Sequence, residues 1–215
     1  MNSSTKGKKI MSEKSEAIKK MFHPASIAVI GASQTAGKQG NSVIRYLKRY
    51  GYAGRVYPVN PKADQIEGFP CYRSVLDIPG EVDLAVISLP NVLVPQAARD
   101  CIAKGIKAAV VWSAGFGELK SEKGKKLDAE LRQICEEGGL YLCGPNSLGV
   151  INAHEAAVAS FTTALAGVEQ LRKGNVAFIS QSGGTVAAIL DEIEHGGLRS
   201  EEHTSELQSR SDLVC

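Results

Sequence analysis

IAVIGASQTAGKQGNSVIRYLKRYG, residues 27–51, is the stretch that decides the fold. Ile27, Ala28, Val29 and Ile30 run without a polar break into Gly31, the pattern of a strand buried on both faces and ended by a turn. Val43, Ile44, Leu47 and Tyr50 then fall on one face of a helix that Gly51 stops. Strand, glycine loop and amphipathic helix together make the first step of a parallel sheet.

The step repeats outward from there. RVYPV at 55–59, DLAVISL at 83–89, KAAVVW at 107–112 and LYLC at 140–143 read as further strands, with helices expected near 92–104 and 121–138. Continuous apolar strands separated by helices predict the α/β class, as a Rossmann-like doubly wound parallel sheet over 21–152. Residues 153–173 are Ala-rich with no clear strand and read as a linker. NVAFI at 175–179 begins another strand, followed by SQSGG and a helix to about residue 194, so 174–198 reads as the first β-α unit of a second domain. One strand and one helix cannot bury a core, so that domain is expected to be truncated and the chain to belong to something longer.

The 215 residues, 43% hydrophobic with 22 Gly, exclude collagen-like, disulfide-scaffold and disordered classes. A net charge of +2 is no polyanion-sized field, so no nucleic acid partner is expected. Residues 1–20 carry six Lys and two Glu and read as a flexible, solvated lead with only a weak helical pattern near its end. Residues 199–215, RSEEHTSELQSRSDLVC, have no apolar periodicity; they resemble a translated sequencing adapter, expected to be an artefact. The five Cys form no C-x-x-C pair and no ligand-like group with the four His, which points to a reduced, cytoplasmic chain with no metal. No apolar run is long enough for a membrane span or a signal peptide, so no membrane partner is expected.

In a doubly wound sheet, ligands bind beyond the carboxyl ends of the strands. The first strand runs into Gly31, Ala32 and Ser33, then Lys38 at the mouth of a helix whose free N–H groups favour a phosphate. Ser33 stands where a dinucleotide fingerprint has its second glycine. The second strand ends in Asn60, Pro61 and Lys62, where an NAD site would place a carboxylate on the ribose hydroxyl. A lysine there favours a ribose phosphate, and NADP or the 3′-phosphate of coenzyme A would both satisfy it. The remaining strand ends supply Ser88, Leu89 and Pro90, then Ser113, Ala114, Gly115 and Phe116, then GPNSLG at 144–149.

GAS with a following GKQG, PVNPK, DLAVISLP, SAGFGE and GPNSLGVIN, in this order and followed by GNVAFISQSGG, resemble the CoA-binding front end of the NDP-forming acyl-CoA synthetases. These are relatives of the succinyl-CoA synthetase α-subunit, and the resemblance covers about residues 21–198. It implies a Rossmann-like CoA-binding domain followed by a flavodoxin-like one, with a ligase-CoA domain and an ATP-grasp module in complete members. The family's reaction joins a small carboxylic acid to CoA at the expense of ATP or GTP with Mg, through an acyl phosphate and a phosphohistidine. Oligomers are compatible with it. By motif position, Gly31, Ala32, Ser33 and Lys38 would line the CoA phosphates, and Asn60, Pro61 and Lys62 the ribose phosphate or adenine end. Ser88, Leu89 and Pro90 with Ser113, Ala114, Gly115 and Phe116 would flank the pantetheine arm, and Asn146 would approach the reacting carbonyl. Many relatives have Cys in place of Ser147, so a role resting on a thiol there does not carry over.

Ser180, Gln181, Ser182, Gly183 and Gly184 form a Ser/Gly loop opening a helix, which in this family receives the phosphoryl group carried by histidine. None of His23, His154, His195 and His203 stands in the phosphohistidine context, so this chain alone is expected to bind CoA without completing the ligase reaction. Other readings are a CoA-binding regulatory module, the CoA-binding half of a protein acetyltransferase, or an NADP-dependent oxidoreductase. The last fits Lys62 but not the SAGFGE and GPNSLG loops.

Overall fold

The computed structural model describes residues 3–195. It opens with α1 (Ser3–Phe22), β1 (Ser26–Ile30), α2 (Gln39–Arg49) and β2 (Arg55–Val59), then a short hairpin of β3 (Gln65–Ile66) and β4 (Phe69–Pro70). The alternation continues with β5 (Leu84–Ile87), α3 (Val94–Ala103), β6 (Ala108–Val111), α4 (Glu122–Gly138) and β7 (Tyr141–Cys143). A second hairpin, β8 (Gly149–Asn152) with β9 (Ala157–Ser160), and α5 (Gly183–His195) follow.

β2, β1, β5, β6 and β7 lie in that order in one sheet, every neighbouring pair parallel. The chain leaves β1 for β2 on one side and returns at β5 on the other, so the topological switch point lies between β1 and β5. Successive residues of the strands face opposite layers. Ala28, Ile30, Ala85, Ile87, Ala109 and Val111 meet Val94, Ala98 and Cys101 of α3 and Leu131 of α4. Ile27, Val29, Leu84, Val86, Ala108 and Val110 meet Val43, Ile44 and Leu47 of α2 together with Met21. Helices thus cover both faces, as uninterrupted apolar strands require. The fold is a Rossmann-like α/β sheet, and the edge strand β7 is only half-buried.

Three expectations change. The lead is not a loose tail: it is α1, whose end packs beside β6, β7 and β8. Ala17 and Met21 are buried there, and Lys20 pairs with Asp83 at 3.0 Å. Lys19 is exposed on the same helix, which needs only a narrow apolar seam to dock. Residues 153–173 are not a plain linker either, because the segment that opens them completes the β8–β9 hairpin. Val158, Leu165 and Val168 then pack on Tyr46 of α2. Finally, 175–179 forms no strand. Val176, Phe178 and Ile179 are 70%, 47% and 66% exposed, and no strand among the described residues lies alongside to take up their backbone hydrogen bonds. The helix expected after them is present as α5. The adapter-like stretch 199–215 lies outside the described residues.

Candidate functional site

The carboxyl ends of the five parallel strands carry five loops that are tied to one another. At the centre, Gly31 has φ +88°, and a Cβ on it would fall 2.2 Å from the Ser88 carbonyl oxygen. Only glycine lets the ends of β1 and β5 approach so closely. Ser88 N–H donates to the Ile30 carbonyl at 2.8 Å, and Gly31 and Ala32 both donate to the Val59 carbonyl. α2 begins directly on this loop, since a Cβ at Gly40 would lie 2.2 Å from the Gly31 carbonyl oxygen.

No side chain caps α2, whose preceding residue is the exposed Lys38. Its first N–H groups have no partner within the helix, and beside them Gly37, at φ +83°, faces open space. An anion fits such an end. The loop is braced from below by Asn41, wholly buried, whose Nδ2 donates to the Ser33 carbonyl and to Glu67 Oε1, both at 2.9 Å. Lys48 Nζ donates to the Glu67 carbonyl at 2.7 Å, and Gln34 Nε2 to that of Gln65 at 3.2 Å. The β3–β4 hairpin is thereby latched to the glycine loop.

The end of β2 is held as firmly. Asn60 Nδ2 donates to the Ala32 carbonyl at 2.7 Å, and its Oδ1 accepts the Lys62 N–H at 2.8 Å, which leaves the Lys62 side chain exposed. Arg73 crosses behind the turn, donating to the Pro61 carbonyl and pairing with Asp64.

The loops after β5 and β6 are joined twice. Ser113 Oγ donates to the Leu89 carbonyl, and Asn91 Nδ2 donates to the Gly115 carbonyl at 3.0 Å. The Glu118 carboxylate accepts the N–H of Gly115 on one oxygen and that of Phe116 on the other. The loop after β7 joins through Asn146 N–H to the Ser113 carbonyl at 3.0 Å and Ser147 N–H to that of Val111 at 3.3 Å. Asn146 is exposed at φ +56°. Ser147 Oγ lies 3.2 Å from Cys143 Sγ and accepts the Gly149 N–H at 3.0 Å.

The residues expected at the site are therefore brought to one edge, but not all line it. Ala32 is 1% and Phe116 0% exposed, with both Ala32 backbone groups already bonded. They support the loops from inside, a correction to the reading in which they touch ligand. Gly31, Ser33, Asn60, Ser88, Leu89, Ser113 and Gly115 are half-buried, and Lys38, Pro61, Lys62, Pro90 and Ala114 exposed. Asn41, Arg73, Asn91 and Glu118 were not singled out by sequence. Glu118 sits in the SAGFGE run and Asn91 directly after SLP, so proximity to quoted motifs was the available signal.

The Ser180 loop stands further along. Ser182 Oγ accepts the Thr185 N–H at 3.3 Å, and Ser180 Oγ accepts the Ser182 N–H at 3.0 Å. A Cβ on Gly183 would sit 3.4 Å from Leu148 Cβ, so α5 begins beside the loop after β7. Gln181 and Gly184 are exposed. Among the described residues, no group of three or more His, Cys, Asp or Glu could hold a metal, and no helix is long and apolar enough to cross a membrane.

A doubly wound parallel sheet, with helices on both faces and an uncapped α2 opening beyond β1, defines an α/β domain of the Rossmann-like class. Within that class, the model of the CoA binding domain family matches residues 25–153, and the chain belongs to that family. It is 42% identical over 174 residues to acetate–CoA ligase [ADP-forming] II of Archaeoglobus fulgidus, covering 81% of this chain and 25% of that protein. It is 45% identical over 169 residues to the alpha subunit of acetate–CoA ligase [ADP-forming] II of Pyrococcus furiosus, covering 79% and 35%. Among solved structures, acetyl-coenzyme A synthetase 1 of Ca. Korarchaeum cryptofilum with phosphate and ADP superposes with a TM-score of 0.76 at 38% identity, over 83% of this chain and 37% of that one. The chain thus spans between a quarter and about a third of the length of these curated relatives.

Proposed function

We propose that the chain is the CoA- and acyl-CoA-binding front part of an NDP-forming acyl-CoA synthetase, an acid–thiol ligase of the cytoplasm. In the whole protein, a carboxylic acid and CoA are joined at the expense of ATP or GTP with Mg. An ATP-grasp module or subunit supplies the nucleotide chemistry. The observation that carries this reading is the joining of five strand-end loops along the carboxyl edge of the sheet, with Lys38 exposed at the uncapped start of α2 and Lys62 exposed on the loop after β2, in a chain matched by the CoA binding domain model.

CoA supplies the thiol that accepts the acyl group; the residues of this chain bind and orient it. The first N–H groups of α2 and the Lys38 ammonium are suited to the diphosphate, where a helix end and a cation reinforce each other. Lys62, held out by the Asn60 turn, is suited to the ribose 3′-phosphate. The paired loops after β5 and β6 are suited to flank the pantetheine arm, and Asn146, exposed after β7, to approach the acyl carbonyl. The Ser180–Gly184 loop is suited to receive a phosphoryl group.

Titration calorimetry of this chain with CoA and with dephospho-CoA tests the assignment. Binding of CoA that weakens when the 3′-phosphate is absent is the expected result. Equal binding of both removes the role of Lys62, and no binding of either removes the CoA reading. NADPH binding without CoA binding would point to the oxidoreductase instead.

A further inference from the structure

The peptide groups around Gly115 are fixed from both sides. Its N–H is taken by Glu118 Oε1, and the adjacent Phe116 N–H reaches Glu118 Oε2 at 3.0 Å. Its carbonyl accepts from Asn91 Nδ2 at 3.0 Å. Gly115 itself is at φ +99°, and a Cβ there would lie 2.2 Å from Asn91 Nδ2, so the residue must be glycine for Asn91 to reach it. One exposed carboxylate therefore closes two successive N–H groups of the loop after β6, and one amide from the loop after β5 closes the carbonyl between them. Hydrogen bonds to an ionised acceptor are about twice as strong as neutral ones, so Glu118 sets the shape of this loop more firmly than an apolar or short residue could.

Resting on the CoA reading, we infer that Glu118 and Asn91 are positioning residues for the pantetheine arm and take no part in holding the nucleotide end. They act through the Gly115 peptides of the loop after β6, whereas Lys38 and Lys62 lie on the loops after β1 and β2. The separation is geometric: none of the hydrogen bonds made by the side chains of Asn91 and Glu118 goes to the glycine loop or the Asn60 turn.

The test compares CoA with adenosine 3′,5′-bisphosphate, which keeps the 3′-phosphate and one 5′-phosphate but has no pantetheine. In Glu118→Ala the affinity for CoA is expected to fall about tenfold, with that for the bisphosphate unchanged within about twofold. Glu118→Gln keeps one oxygen acceptor for the two N–H groups, so its loss for CoA should be smaller, about threefold. Asn91→Ala should resemble Glu118→Ala. The double variant should lose less than the product of the single losses, because both act on one peptide. Thermal unfolding of each variant reports whether it folds; if Glu118→Ala does not, Glu118→Gln and Asn91→Ala carry the comparison. Equal weakening of both ligands, or full CoA affinity in the folded variants, overturns the inference. Failure of the unaltered chain to bind CoA overturns instead the reading on which it rests.

Discussion

Asn60 and Ala32 join the ends of two neighbouring strands: the Asn60 Nδ2 donates to the Ala32 carbonyl at 2.7 Å while its Oδ1 accepts the Lys62 N–H at 2.8 Å. A single amide thus fixes Lys62 relative to the glycine loop. Lys62→Met is expected to abolish the preference for CoA over dephospho-CoA, which a charge-assisted phosphate contact sets at roughly 10- to 100-fold. Its affinity for dephospho-CoA should stay near that of the unaltered chain. Asn60→Ala should weaken both ligands, since it releases the turn and the loop together. Calorimetry with the two ligands separates these patterns, and a Lys62→Met variant that still prefers CoA contradicts the assignment.

Gly31 and Gly37 share a positive φ but differ in surroundings. At Gly31 a Cβ would strike the Ser88 carbonyl at 2.2 Å, whereas at Gly37 nothing lies within 4 Å. Gly31→Ala is therefore expected to destabilise the fold by at least about 3 kcal/mol, conformational strain adding to a backbone clash. Gly37→Ala should cost only about 1 kcal/mol, the strain alone. Urea unfolding of the two variants decides it; similar losses would mean that the close approach of β1 to β5 does not govern stability.

The parallel sheet was legible because its strands are apolar on both faces, so each shows as an unbroken run whose end is punctuated by Gly, Pro or Ser. All five fall within two residues of the expected positions. The hairpins were not legible. β3 and β4 are two residues each, too short for a period, and β8–β9 hides in a stretch whose small residues suit several states. The run at 175–179 has strand composition but, among the described residues, no strand to pair with, and pairing is not a local property. The same limit explains the site. Strand ends locate the loops along one edge, yet the residues that lock them, Asn91 to Gly115 or Asn41 to Glu67, act across loops and leave no spacing to detect. Ala32 and Phe116 sit in the strand-end motifs, but only packing reveals that they are buried.

α1 offers a direct measure of tertiary support for a lysine-rich helix. Met21, 8% exposed, joins the core formed by β1, β5, β6 and α2. Met21→Ala should cost about 2 kcal/mol, toward the low end for a buried methionine because it sits at the helix end. For a chain of this size the midpoint of thermal unfolding should fall by roughly 4–8 °C. Met11, 68% exposed, is the control: Met11→Ala should stay within about 0.5 kcal/mol. Equal, negligible effects at both positions would show that α1 does not seal the sheet.

Two core thiols give the fold an alkaline limit. Burial, with a smaller contribution from Asp100, pushes the Cys101 thiol up to about 12, and burial pushes Cys135 up to about 11, against 9.0 for an ordinary thiol. Between these values the unfolded chain loses thiol protons that the folded chain keeps. The unfolded state then binds fewer protons, so stability is full below about pH 9 and declines as pH rises through the folded values. The midpoint of thermal unfolding should be steady up to about pH 9 and fall beyond it, less steeply in Cys101→Ala. At pH 8 a thiol reagent should leave Cys101 and Cys135 unmodified until denaturant is added, because reaction needs the thiolate and access to it. Rapid labelling of either residue in the native chain would show that the layer between the sheet and helices α3 and α4 opens far more readily than its packing indicates.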